Sequence, residues 1–187
     1  MSVFWKRTLL GLVVLVVVIL AVLRYQKIQT KKASPEETVA FYIGGPEGVQ
    51  VEVDYSRPYK KGRVIFGGLV PFGKVWRTGA NEATTFSVNK DITFGGVPVK
   101  AGKYTLWTLP GEDAWAVYLN GRMYSWGVDM DGVAQRDPEA DIAAVKIPVD
   151  TLAEEVEQFR IAVDTDKDPV ELTLIWDRTK VAIPITY

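Results

Sequence analysis

The stretch that decides the fold is VQVEVDY, residues 49–55, in which apolar and polar residues alternate without interruption. Successive side chains of a β-strand point to opposite faces, so one row faces a core and the other faces water. The stretch is therefore predicted to be a half-buried strand. Similar stretches follow, and the further predicted strands are 84–88, 92–94, 97–99, 103–109, 115–120, 159–163, 170–176 and 179–185.

Turn residues indicate how these strands pair. Gly95-Gly96 stands between two of them and Asn120-Gly121 follows another, which predicts two-residue hairpin loops and antiparallel neighbours. Helical spacing is confined to VDTLAEEVEQ, residues 149–158, where we expect at most one short helix or turn. Many short strands with so little helix predict an all-β domain, either an antiparallel β-sandwich or a jelly-roll-like fold.

An unbroken apolar run precedes the strands: LLGLVVLVVVILAVL, residues 9–23, flanked by Lys6, Arg7 and Arg24. As a helix this run rises about 22 Å, so crossing a hydrocarbon core of about 30 Å also requires the flanking residues, and residues 5–24 are predicted to contact the membrane. Small residues of a signal-peptidase site are missing before Arg24. We therefore expect an uncleaved transmembrane signal anchor at 1–25, a tether at 26–40 and a β-sandwich domain at 41–187.

Composition removes several classes of function. The chain has no histidine and no cysteine, which excludes thiolate zinc sites, catalytic cysteines and the commonest general base. We expect no metal site and no cofactor, and catalysis is not the favoured expectation. The formal net charge is −1, but six basic and no acidic residues fall within 1–32, which leaves −7 on the remainder. Nucleic acid is therefore not an expected partner.

Charge is also uneven within the acidic part of the chain. Residues 57–81 contain six basic side chains and no acidic one. Arginine binds carboxylate or phosphate through paired N–H groups, and a neighbouring tryptophan offers a stacking face, so this segment predicts a site for an anionic or hydroxyl-rich ligand. The predicted ligand-binding residues are Arg57, Arg63, Trp76, Arg77, Thr78, Asn81 and Glu82.

Two other interpretations of these residues stay open. In a structural one, Trp76 belongs to the core and Arg77 pairs with Glu82 or Asp54 to connect loops, so that the domain is a structural or protein-interaction module of the envelope. In an enzymatic one, Asp54 and Glu82 act as acid and base near Arg77 and Tyr55, as in a carboxylate-dependent hydrolase.

Three further features are predicted to be structural. The segment DTDKD, residues 164–168, starts like a calcium loop, but Pro169 and Ile175 stand where such a loop requires glycine and glutamate. A hairpin tip is the prediction there, and a turn is the prediction for residues 129–132. Because they fall in or beside alternating apolar segments, four tryptophans are predicted to be core residues: Trp107, Trp115, Trp126 and Trp176.

Longer motifs add a family resemblance. They are VDYSRP (53–58), KGRVIFGGLVPFG (61–73), VWRTGANEATT (75–85) and AGKYTLWTLP (101–110). The chain resembles the bacterial family called domain of unknown function 2911. The resemblance implies an exported, β-rich envelope protein, and it supplies no activity, ligand or catalytic residue. Members typically carry a cleavable export signal, whereas this chain has an apolar run without a cleavage site.

The resemblance also decides the expected location. Basic residues lie on both sides of the apolar run, and their count does not favour an external domain. Export, as implied by the resemblance, places the domain on the periplasmic or external side of the bacterial cytoplasmic membrane. The predicted protein is thus a single-pass, membrane-anchored extracytoplasmic β domain that binds an anionic or hydroxyl-rich envelope ligand, and its protein partners stay unidentified.

Overall fold

The computed structural model describes residues 3–45 and 47–187, and these form two compact units that divide after Ala33. The first unit is helix α1 (Val3–Ala33). The second contains the strands and one short 3-10 turn, Pro138–Ala140. The strands are β1 Glu36–Ile43, β2 Val49–Ser56, β3 Thr85–Val88, β4 Ile92–Phe94, β5 Val97–Val99, β6 Gly102–Leu109, β7 Ala114–Asn120, β8 Asp141–Asp164 and β9 Val170–Thr186.

Helix α1 is long and apolar enough to cross a membrane. Lys31 and Lys32 lie in its last turn, where positive charge stabilises the C-terminal end of a helix dipole. Pro35 explains the end of the helix, because a proline disfavours helical backbone at the residue before it. In the segment predicted as a tether, the structure has helix as far as Ala33 and strand from Glu36, so little irregular chain lies between them.

The second unit is an antiparallel β fold, as the sequence predicts. The strand order is β1-β2-β3-β6-β7-β8-β9-β4-β5. The first part of β8 pairs with β7 and its second part pairs with β9, so this strand passes from one layer to the other. Across the layers, the Tyr55 ring lies 5.8 Å from the Phe159 ring and its hydroxyl accepts a hydrogen bond from the Ile161 N–H at 3.0 Å.

The core lies between these layers. Alternate residues of β2 are buried, which confirms the strand predicted at 49–55. Burial also confirms the core positions of Trp107, Trp115 and Trp176, whereas Trp126 is only half-buried and the core prediction for it is wrong. The largest fully buried side chains also include Phe86, Phe94 and Phe159.

Two local predictions are wrong. Residues 149–158 belong to strand β8, in which the register shifts twice; such irregularities break the two-residue alternation and leave a spacing that resembles a helix. The expected hairpin at Asn120-Gly121 is also replaced by a long connection, residues 121–140, although β7 and β8 are antiparallel neighbours. The buried Asn120 amide explains the change, because it donates to the Asp137 carbonyl at 2.7 Å and to Asp141 Oδ1 at 2.8 Å.

Candidate functional site

A cleft of about 660 Å³ opens in the surface of the β domain. A volume of this size is typical of sites for small ligands. Two loops, residues 61–75 and 127–134, supply much of its lining, and the segment 75–79 connects the first loop to the sheet. The side chains and backbone that line it belong to Pro58, Leu69, Val70, Pro71, Gly73, Lys74, Val75, Trp76, Arg77, Gly79, Val128, Asp131, Gly132, Val133, Ala134 and Trp176.

The 61–75 loop is held in place although it has little regular structure. Ile65 and Val70 are buried, and they act as apolar anchors. The Val70 N–H donates to the Ile65 carbonyl at 2.9 Å, and the Leu69 N–H donates to the Val64 carbonyl at 3.0 Å. This tight backbone arrangement leaves Leu69 exposed at the cleft.

The 127–134 loop is fixed by one carboxylate. Asp129 Oδ1 accepts hydrogen bonds from the Asp131 N–H at 3.0 Å and the Val133 N–H at 2.9 Å. The Asp129 N–H in turn donates to the Val133 carbonyl at 3.0 Å. An aspartate that accepts from its own following backbone is a common way to build a turn, and the turn predicted at 129–132 is confirmed.

Trp76 belongs to both the core and the cleft. Its ring stacks on Trp176 with centroids 6.1 Å apart, and it meets Phe159 edge-on at 5.1 Å. The indole N–H donates to the Gly79 carbonyl at 2.9 Å. Since Trp76 and Trp176 also line the cleft, the aromatic core continues into its wall. The core interpretation and the ligand interpretation of Trp76 are therefore compatible.

Arg77 is a cationic residue of the same cleft lining. Its side chain is half-buried, Nη1 donates to the Trp126 carbonyl at 3.3 Å, and the guanidinium lies 5.8 Å from the centre of the Trp126 ring. Burial lowers the pKa of Arg77 from its usual value, and the negative charge of Glu82 partly opposes this shift. An arginine stays charged in proteins, so Arg77 presents a cation with several N–H donors beyond the one used. Across residues 3–45 and 47–187, no carboxylate lies within ion-pair distance, 4.0 Å, of Arg77.

Thr78 and Asn81 shape the turn that follows Arg77. Both are buried and both have positive φ, 54° and 58°. Positive φ is unusual for a β-branched residue such as threonine, and strained residues of this kind cluster at functional sites. The Thr78 hydroxyl lies 3.1 Å from the Thr108 hydroxyl, and the Asn81 amide donates to the Ser34 carbonyl at 3.2 Å. Neither residue lines the cleft.

Arg57, Arg63 and Glu82 lie outside the cleft lining as well. The Arg57 guanidinium pairs with Glu37 at 3.0 Å and donates to the Phe159 carbonyl at 3.2 Å. Arg63 donates to carbonyls within its own turn. Of the predicted site residues, the structure therefore brings Trp76 and Arg77 together at the cleft and does not bring the other five there. Ligand binding by any of the seven stays a prediction.

Asp54 and Glu82, the acid and base of the enzymatic interpretation, both lie outside the cleft lining. Asp54 accepts hydrogen bonds from Thr38 at 2.7 Å, Thr85 at 3.0 Å and Lys103 at 3.2 Å. Burial opposes ionisation of Asp54, but these three donors and the Lys103 charge outweigh it and hold the pKa of its carboxyl below the usual value. Neither Asp54 nor Glu82 lines the cleft. A low pKa also makes Asp54 a weak base.

Tyr55, the next residue of β2, makes hydrogen bonds to neighbouring strands. Burial, followed by the hydrogen bond from its hydroxyl to Glu37 Oε2 at 2.6 Å, raises the pKa of the phenol. The tyrosine therefore stays neutral at physiological pH. Its contacts connect β2 with β1 and β8, which is a structural role.

Leu69, Val133 and Trp126 are the site residues that sequence reasoning missed. Leu69 and Val133 line the cleft, and Trp126 contacts Arg77. A signal was present in the segment 126–134, where apolar residues surround the acidic turn and the alternation typical of a buried strand is missing. Apolar side chains that a loop leaves exposed indicate a surface that contacts a ligand or a partner.

The fold and the cleft define a class of protein: an antiparallel β domain with an open, ligand-sized cleft, preceded by an apolar helix suited to a membrane anchor or a signal sequence. Residues 34–185 match the family described as Protein of unknown function (DUF2911). The chain belongs to this family, which confirms the resemblance seen in its motifs. No curated protein and no solved structure matches the chain.

Proposed function

We propose that the β domain binds an anionic ligand in the cleft beside Trp76 and that Arg77 contacts the anionic group. The observation that carries this proposal is Arg77, a half-buried residue of the cleft lining whose guanidinium makes one hydrogen bond, at 3.3 Å, and no ion pair within the described residues. Glu82 acts on this charge only from beyond ion-pair distance, and partial burial of a cation without a directly paired anion costs free energy. An anion supplies both the charge and the acceptors that Arg77 lacks.

Trp76 supports the same proposal because it adds a rigid aromatic residue to the cleft lining. Trp76 lines the cleft beside Arg77 in sequence, and its ring is fixed by stacking on Trp176, so it supplies a rigid apolar residue to the lining. Rigid aromatic side chains bind ligands with little loss of conformational entropy. The proposed ligand is therefore an anion that also presents a face or a chain to the indole, and a hydroxyl-rich acid is included.

The proposed location follows from α1 and from the family resemblance. The helix anchors the chain in the bacterial cytoplasmic membrane, and the domain lies on the periplasmic or external side. The ligand is then a component of the envelope or of the medium. We propose that the domain binds this ligand without converting it.

A piece of the chain, residues 34–187, allows the proposal to be tested in solution. These residues form one compact unit, and every residue of the core cluster lies in them. Thermal unfolding of this piece is measured with a panel of small anions and envelope glycans. A ligand at 100 times its dissociation constant stabilises the folded state by about 2.7 kcal/mol.

Two matched variants decide the role of Arg77. We expect Arg77→Gln to abolish the stabilisation while the variant still unfolds cooperatively. Arg63→Gln changes an exposed arginine that does not line the cleft, and it is expected to bind as the wild type does. The proposal is wrong if no anion stabilises the domain, or if the Arg77 variant binds as tightly as the Arg63 variant.

A further inference from the structure

Apolar side chains provide most of the lining around Arg77. The described lining contains three charged residues: Lys74, Arg77 and Asp131. Lys74 and Asp131 are exposed and Arg77 is half-buried, so Arg77 is the more buried of the two cations in the lining. A small hydrophilic anion at Arg77 would leave most of this wall in contact with water. The apolar side chains of the lining are Leu69, Val70, Val75, Trp76, Val128, Val133 and Trp176, with two prolines and one alanine.

The two loops also expose apolar side chains where they line the cleft. Leu69, on the 61–75 loop, is 47% exposed, and Val133, on the 127–134 loop, is 61% exposed. Both loops are fixed by backbone hydrogen bonds, so these side chains are held at the surface by the loop structure itself. Exposed apolar groups gathered around a concave site are typical of a surface that an apolar ligand covers.

We propose that the ligand is a single-chain amphipathic anion, with its carboxylate or phosphate head at Arg77 and its hydrocarbon chain against Leu69, Val133 and Trp76. This inference rests on the proposed function, since it keeps Arg77 as the anion contact. Charge complementarity fixes the head at one position, and the apolar lining accepts the chain. The hydrocarbon chain of the ligand removes from water the same side chains that the two loops hold exposed.

Calorimetric titration of residues 34–187 with a matched series of probes tests this inference. The probes are acetate, octanoate, inorganic phosphate, octyl phosphate and octanol. Octanoate and octyl phosphate are kept below their micellar concentrations, and octanol is kept below its solubility limit. We expect octanoate to bind at least tenfold more tightly than acetate, and octyl phosphate at least tenfold more tightly than phosphate. Octanol, which has the chain without the charge, is expected to bind at least tenfold more weakly than octanoate.

Two valine variants distinguish the loss of the contact with the hydrocarbon chain of the probe from a general loss of folding. Val133→Asn places a polar group in the lining and is expected to weaken octanoate binding at least fivefold without changing the affinity for acetate. Val64→Asn is the control, because Val64 is 71% exposed and does not line the cleft. Circular dichroism and the unfolding midpoint establish that both variants are folded.

Failure of this inference differs from failure of the proposed function. If acetate and octanoate bind equally and Arg77→Gln abolishes both, the anion site stands and the amphipathic ligand is wrong. If octanol binds as tightly as octanoate, the charge contact is wrong and both proposals fall. Both also fall if none of the anions binds.

Discussion

Gly127 and Arg77 meet at the base of the 127–134 loop. Gly127 has a φ of 82°, and a Cβ at this position would lie 3.1 Å from the Cβ of Ala83, 3.2 Å from the Trp107 ring and 3.3 Å from the Cβ of Arg77. Glycine therefore suits the left-handed backbone, and an added Cβ would also require these neighbours to shift by a few tenths of an ångström. The position of the cationic side chain depends on a residue that has no side chain.

Gly127→Ala should destabilise the domain. The left-handed conformation costs a residue with a Cβ about 1–2 kcal/mol, and the close contacts add to that loss. Urea unfolding of residues 34–187 measures the effect. Gly132→Ala is the control, since Gly132 has a similar φ of 80° but a Cβ added there would meet nothing within 4 Å. Equal losses in the two variants would show that the contacts with Trp107 and Arg77 contribute nothing.

At the scale of single residues, the sequence predicted part of the candidate site. An acid-free segment containing tryptophan and arginine led to Trp76 and Arg77, and both line the cleft. The same charge count also selected Arg57 and Arg63, because a count contains no information about partners. Arg57 pairs with Glu37, which is 20 residues away in sequence, and Arg63 bonds to carbonyls of its own turn.

At the scale of strands, Asp54 connects four of them. It lies on β2 and accepts hydrogen bonds from Thr38 of β1, Thr85 of β3 and Lys103 of β6. Its lowered pKa means that the ionised carboxylate of Asp54 is more stable in the folded state than in the unfolded state. The stability that this group contributes is complete above the unfolded pKa, near 3.8, and is lost as the pH falls through the lower folded value.

Asp54→Asn should therefore reduce stability in a pH-dependent way. At pH 7 the variant is expected to unfold at a lower urea concentration than the wild type. The difference between the two should shrink as the pH falls from about 4 through the lower folded pKa, because the wild-type carboxyl becomes protonated first in the unfolded state and then in the folded state. The comparison variant is Asp91→Asn, which removes the charge of an exposed carboxylate that forms an ion pair with Lys100. A difference for Asp54→Asn that is the same at pH 7 and pH 3 would contradict the role assigned to its charge.

Strand β8 carries the aromatic contact that joins the two layers. Phe159 is fully buried and its ring contacts Tyr55, Trp76 and Trp176. Phe159→Ala should lower the free energy of unfolding by about 3–5 kcal/mol, as is usual for the loss of a buried aromatic ring. Chemical denaturation measures this loss. A change below about 1 kcal/mol, the typical effect of an average substitution, would show that the layers do not depend on this contact.

Regular strands were predictable from the sequence, and irregular ones were not. Strands β4 and β5 are found at their predicted residues, joined by the predicted Gly95-Gly96 turn. The first part of β8 and all of β1 were missed. In β1 most side chains are only partly covered, so its sequence, EETVAFYI, has weak alternation at its start. In β8, register shifts interrupt the pattern from which a strand is recognised.

At the scale of the whole molecule, the location of the domain is open to a direct test. The full chain is produced in bacterial cells, which are then converted to spheroplasts and treated with protease. We expect the β domain to be digested and a periplasmic-facing control protein to be digested with it. Protection of the domain while that control is digested would place it in the cytoplasm, as the basic residues on both sides of the apolar run allow.

Arginine side-chain NMR of residues 34–187 tests the central claim, the anion contact at Arg77, most directly. The Nε–Hε signals are assigned with the Arg77→Gln and Arg63→Gln variants, and octanoate and inorganic phosphate are then titrated separately. We expect at least one probe to shift the Arg77 signal in a saturable way while the Arg63 signal stays unchanged. If the Arg77 signal does not move with either probe, or moves no more than the Arg63 signal, Arg77 does not contact the anion.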